Sequence, residues 1–178
     1  MIRKIVRSDD PKLREKSKPV KKVDKKIKAL IDDLKDTIRA QHDPEGVGLA
    51  ASQIGKNVQV FVIKPSHEIK TIINPKVLST DKEKIKKPTA MEGCLSIPHY
   101  YSPLPRAKSI KIEYLDEDGK KQIEEFRDFP AQIVQHEIDH LNGKLFIDHL
   151  FKEKKPLYQM NEEGEWEEVD FALTGKEQ

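Results

Sequence analysis

Asp128-Phe129-Pro130-Ala131-Gln132-Ile133-Val134-Gln135-His136-Glu137-Ile138-Asp139-His140-Leu141-Asn142-Gly143 is the stretch on which the reading of this chain turns. The pattern predicts a helix over 129–142. Asp128 suits the N-cap, Pro130 sits in the first turn where proline is tolerated, and Gly143 suits the stop. Inside it, His136-Glu137-Ile138-Asp139-His140 matches H-E-x-x-H. Residues four apart share one helix face, so the two imidazoles stand one turn apart and can grip one metal ion. Glu137, beside that face, can reach a water on the ion as general base. The bland alternative is a chance spacing of surface residues. Ile133, Val134 and Leu141 set the segment against a core instead, where unused polarity is costly.

Two histidines do not complete a catalytic site, which usually has three protein ligands and an open position. The extension H-E-x-x-H-x-x-G-x-x-H is met at Gly143 but fails at its last ligand, where Phe146 stands. Glu162, Glu163, Glu165, Glu167 and Glu168 lie in an acidic, turn-like stretch that reads as a solvated face. Cys94, the only cysteine, remains. A lone cysteine is more often a small buried hydrophobe than a ligand. In Glu92-Gly93-Cys94-Leu95-Ser96, however, a glycine beside it allows close approach of the backbone to a ligand. A third segment, Gly46-Val47-Gly48-Leu49-Ala50-Ala51-Ser52-Gln53, is neither a phosphate loop nor a dinucleotide fingerprint. Its bland reading is a tight turn; its functional reading makes Gln53 an amide donor to an oxyanion.

Outward from these segments, residues 24–41 predict an amphipathic helix. Ile27, Leu30, Ile31, Leu34 and Ile38 recur at spacings of three and four, and Asp24 is the candidate N-cap. Residues 1–22 read as an extended arm. Residues 58–63 read as a buried strand, and 71–74 and 76–79 as weaker strands split by Pro75. Residues 109–115 and 121–126 form a predicted hairpin around Asp116-Glu117-Asp118-Gly119. Residues around 157–160 and 165–169 are candidates for a small terminal hairpin. The expected fold is α+β: antiparallel strands packed around a central metal-binding helix, with an N-terminal amphipathic helix.

The bulk numbers set limits. A chain of 178 residues fits one domain, or one domain with a tail. A net charge of +2 gives no electrostatic case for direct nucleic-acid binding. One cysteine cannot form an internal disulfide, and no apolar run is long enough for a membrane span. The expected location is cytoplasmic.

Taken together and in this order, Gly46-Val47-Gly48-Leu49-Ala50-Ala51-Ser52-Gln53, Glu92-Gly93-Cys94-Leu95-Ser96 and His136-Glu137-Ile138-Asp139-His140 resemble the three motifs of the peptide deformylases. Ile72-Ile73-Asn74-Pro75 and Pro105-Arg106-Ala107 extend the likeness, which covers roughly residues 1–150 as a catalytic domain and leaves 151–178 as an extension without an assigned role. The resemblance implies removal of the N-formyl group from the initiator methionine of newly made polypeptides. It implies one divalent metal ion on Cys94, His136 and His140, Fe(II) in the cell, with Zn(II) or Ni(II) able to replace it. Glu137 is implied as general base and acid, and Gln53 and the backbone N–H of Leu95 as oxyanion donors. Val47, Gly48 and Ile133 are implied as substrate-binding positions. The implied partners are N-formyl-methionyl nascent peptides, met at the ribosome by a monomeric enzyme.

Two departures stand out. Tyr101 falls where many members carry an arginine that contacts the substrate main chain, and Phe129-Pro130 is unusual at the start of the metal helix. Two other classes compete. A zinc peptidase of another family needs a third His or Glu ligand. A structural zinc site needs a fourth protein ligand, such as His99, from outside the motifs.

Overall fold

The computed structural model describes residues 1–83, 91–161 and 163–169. Of the expected 151–178 extension, residue 162 and residues 170–178 lie outside the described part.

The first helix, α1, spans Lys25–Arg39. Asp24 caps it through its side chain, which accepts from the N–H groups of Lys26 and Ile27. Two antiparallel sheets follow. The larger has the order β1 (Gly48–Ala50), β2 (Val60–Ile63), β3 (Lys70–Thr80), β6 (Ser109–Leu115), β7 (Lys121–Arg127). The smaller has the order β4 (Glu92–Cys94), β5 (Ile97–Ser102), β8 (Leu157–Met160), β9 (Trp166–Val169). Helix α2 spans Asp128–Leu141 and a third helix, α3, spans Phe146–Glu153.

The apolar run of β2 is continuous because both of its faces are covered. Side chains alternate along a strand. Val60 and Val62 pack with Leu34 and Ile38 of α1. Phe61 and Ile63 turn to the other face, towards Ala131, Ile133 and Val134 of α2. The helix that carries the histidines thus packs on the large sheet, and β4 of the smaller sheet meets it through Cys94 and Glu92. A third apolar cluster joins Cys94, Leu104, Phe146, Leu150 and Leu157, tying the small sheet to α3.

Three local expectations are corrected. Residues 70–80 form one strand, not two; the register shifts between Ile73 and Lys76, so Pro75 sits in a bulge that does not need its N–H. Asn74 takes φ +50° there, and its side chain accepts from Val20 N–H at 2.8 Å and donates to Val20 C=O at 2.7 Å. Asp128 does not cap α2. Its φ is +52°, its own N–H donates to Lys108 C=O at 2.8 Å, and Arg127 occupies the cap position without a side-chain bond. β7 therefore runs into α2 with no connecting loop. Helix α3, finally, was not expected from the sequence. Gly143, with φ +69°, ends the preceding segment; a Cβ there would lie 2.3 Å from Arg14 C=O.

The N-terminal arm lies along the body, as expected. Val6 N–H donates to Gln53 C=O at 2.9 Å and Ser8 N–H to Ser96 C=O at 3.1 Å. The arm thereby binds the segments bearing Gln53 and Cys94 to one another. No helix among the described residues is long and apolar enough to cross a membrane.

Candidate metal centre

Helix α2 presents His136 and His140 one turn apart, with ring centroids 4.9 Å from each other. Strand β4 brings Cys94 against them. One ligand atom from each of the three residues falls within 4.8 Å of the other two, and all three residues are buried. Cys94 Sγ lies 3.3 Å from His140 Nε2. A thiolate with two imidazole nitrogens is a donor set for a first-row divalent ion with one position left open, so these residues fit a single metal ion. Phe146, at the position where a third histidine was sought, is instead a core residue; its ring centroid stands 6.3 Å from that of His136.

The electrostatics favour a charged sulfur. Burial works against the Cys94 thiolate. The charge of His140 and hydrogen bonds from His136 and His140 outweigh it, holding the thiol down at about 5. His136 is oriented from behind: its Nδ1–H donates to Glu92 Oε1 at 2.8 Å, which leaves Nε2 for a ligand role. Glu92 is in turn gripped by Arg106, whose Nη2 and Nε reach its two oxygens at 2.6 and 3.0 Å. Burial raises the Glu92 carboxyl, but the Arg106 charge prevails and brings it to about 2. Arg106 also bonds Asp139 Oδ2 at 2.7 Å, and His149 Nε2–H donates to the same oxygen at 2.7 Å. This buried chain was not read from the sequence. Its bonded partners are 10 to 44 residues apart, so no spacing reveals it.

Glu137 lies beside the cluster, buried, with one carboxylate oxygen lacking a hydrogen-bond partner. Burial pushes its carboxyl up to about 7, against the opposing charges of His136 and His140. Gln53 accepts from Ala50 N–H through Oε1 at 2.8 Å. That bond fixes the amide so that Nε2–H points to Cys94 Sγ at 3.5 Å and Ser96 Oγ at 3.3 Å. A cavity of about 280 Å³ opens over these groups. Val47, Gly48, Gln53, Leu95, Ile133 and Glu137 line it, so every expected site residue meets at this place or in the adjoining metal cluster. Tyr101, Phe129 and His99 are also in the wall. Pro130 is not among its lining residues.

Comparison with known proteins agrees with this architecture. The family model described as polypeptide deformylase matches residues 2–156. A peptide deformylase of Mesorhizobium japonicum is 42% identical over 161 residues, covering 88% of each chain. The crystal structure of peptide deformylase from Thermotoga maritima superposes with a TM-score of 0.76 at 38% identity, over 83% of this chain and 97% of that one. The peptide deformylase of Ehrlichia chaffeensis in complex with actinonin gives 0.76 at 37% identity, over 86% and 91%. With its own three-ligand cluster, cavity and sheet order beside these likenesses, the chain belongs to the polypeptide deformylase family, hydrolases that remove the formyl group from the N-terminal methionine of nascent peptides.

Proposed function

We propose that this chain hydrolyses N-formyl-methionyl peptides at the cavity above Cys94, His136 and His140. The observation that carries the reading is the convergence of three ligand atoms, a buried carboxylate and an aimed side-chain amide around one opening. Cys94, His136 and His140 would hold one divalent ion, which would supply Lewis-acid chemistry towards water and the formyl carbonyl. Fe(II) is the proposed ion in the cell, and the mixed sulfur–nitrogen donor set also suits Zn(II) or Ni(II).

The chain's own groups do the rest. Glu137 takes the proton of the attacking water and delivers it to the leaving amide nitrogen. Gln53 Nε2–H and Leu95 N–H donate to the oxygen on which negative charge develops; one such donor is worth about 3 kcal/mol in the transition state. Val47 and Gly48, at the edge strand β1, pair their backbone with an extended substrate, as an added strand does. Ile133 forms part of the wall for the methionine side chain. Residues 1–150 carry this chemistry, the enzyme works as a cytoplasmic monomer, and its substrates are nascent chains at the ribosome.

Formate release from formyl-Met-Ala-Ser, run beside unformylated Met-Ala-Ser, tests the reading. Formate from the first peptide with no cleavage of the second supports it. Cleavage of the second indicates a peptidase.

A further inference from the structure

The C-terminal hairpin has no task in the proposed reaction, yet it is built into the sheet that carries Cys94. Strand β8 pairs directly with β5, placing Tyr101 opposite Tyr158. Strand β9 then pairs with β8, placing Met160 opposite Trp166. Directly opposed residues share a sheet face, as do residues two apart on one strand. Tyr101, Tyr158, Met160 and Trp166 therefore occupy one face. The other face is already used: Leu157 is buried with Phe146 and Leu150 of α3. Ser102 Oγ–H donates to Pro156 C=O at 2.8 Å, fixing the start of β8.

This face carries Glu168 opposite Tyr158, is otherwise apolar and aromatic, and meets the cavity at Tyr101. Tyr101 lines the cavity, and its ring meets that of Trp166 edge to face, with centroids 5.1 Å apart and planes at 73°. On its inner side the Tyr101 ring lies over Gly93; a Cβ there would come within 2.6 Å of it. Trp166 and Met160 are each 43% exposed, and Trp166 stands against Tyr101 of the cavity wall. An extended substrate advances about 3.3 Å per residue, so one or two residues beyond the formyl-methionine span the distance from the cavity wall to Trp166.

Resting on the deformylase reading, we infer that Trp166, with Tyr101 and Met160, forms a specificity wall that receives apolar side chains from the residues following formyl-methionine. The substrate segment is the occupant because the face begins at a residue that lines the cavity and contacts the ring beyond it. Trp166 acts here on the choice of substrate, not on the chemical step.

The test compares kcat/KM for formyl-Met-Leu-Phe and formyl-Met-Ser-Ser in the full chain, in Trp166→Ala, Trp166→Phe and Met160→Ser. The unaltered chain is expected to favour the apolar peptide through KM, by about fivefold, the size of a half-exposed aromatic contact. Trp166→Ala should bring the ratio close to one, Trp166→Phe should keep most of it, and Met160→Ser should lower it. A ratio unchanged in Trp166→Ala, or an equal fall in kcat for both peptides, overturns the inference. Should Trp166→Ala fail to fold, Met160→Ser decides by the same ratio. If the unaltered chain cleaves both peptides equally, the inference alone falls. If it cleaves neither, the deformylase reading falls and takes the inference with it.

Discussion

Gly48 and Glu137 share space that a single methyl group would fill: a Cβ on Gly48 would lie 2.2 Å from Glu137 Oε1 and 2.9 Å from Ile133 Cγ2. The edge strand β1 thus sits directly against the carboxylate proposed as general base. Gly48→Ala must displace that carboxylate or the strand. A misplaced general base forfeits about 100-fold in kcat, the lower end of what proton transfer contributes. Metal content should be unchanged, because the atoms nearest the added methyl belong to Glu137 and Ile133 and not to Cys94, His136 or His140. Steady-state kinetics with elemental analysis of the same preparation checks both.

Glu92 holds His136 from behind and neutralises Arg106. Glu92→Gln keeps the shape but leaves the buried guanidinium short of one countercharge. Loss of one partner from such a pair costs about 3 kcal/mol in stability. Loss of the carboxylate behind a ligating imidazole lowers metal affinity by roughly 10- to 100-fold. Urea unfolding and competitive metal titration measure the two effects. A variant with unchanged affinity would show that the Nδ1 contact is incidental.

Gln53→Ala removes a side chain that is anchored by Ala50 N–H and directed at the cluster. If its amide stabilises the developing oxyanion, kcat falls by about 10²- to 10³-fold, with KM little altered. A change confined to KM would assign Gln53 to substrate binding instead.

Metal removal should act on stability as well as on turnover. An ion that binds only the folded state stabilises it by about 2.7 kcal/mol at a hundred times its dissociation constant. Chelation is expected to abolish formate release and lower Tm, and adding back Fe(II), Zn(II) or Ni(II) to restore both. Calorimetry before and after chelation reads this directly.

The site was largely legible in the sequence, because its geometry is helical and local where it matters most. His136 and His140 are four residues apart, and Cys94 is the single cysteine, so few other ligand sets were open. The helix at Lys25–Arg39 and the strand pair ending in β7 were legible for the same reason: period and turn chemistry are local properties. What escaped depends on partners distant in the chain. Arg106 reads as part of the family likeness, with no task of its own, until Glu92 and Asp139 close around it. Pro75 reads as a strand breaker until Asn74 is seen bonded to Val20 across the bulge. Asp128 looked like a cap because its residue type suits one, but a strand feeding straight into the helix uses its N–H elsewhere. Tyr101 reads only as a departure from a pattern, since Trp166 meets it through a strand pairing that no local signal announces.

In the proposed reaction Glu137 performs proton transfer at a metal site held by Cys94, His136 and His140. Its most direct test is to measure bound metal and formate release together in Glu137→Gln, prepared anaerobically beside the unaltered chain. The expected result is one metal ion per chain in both proteins and, in the variant, formate release from formyl-Met-Ala-Ser reduced by about 10²-fold or more. Near-normal release in the variant, or a chain that binds no metal yet still deformylates, would contradict it.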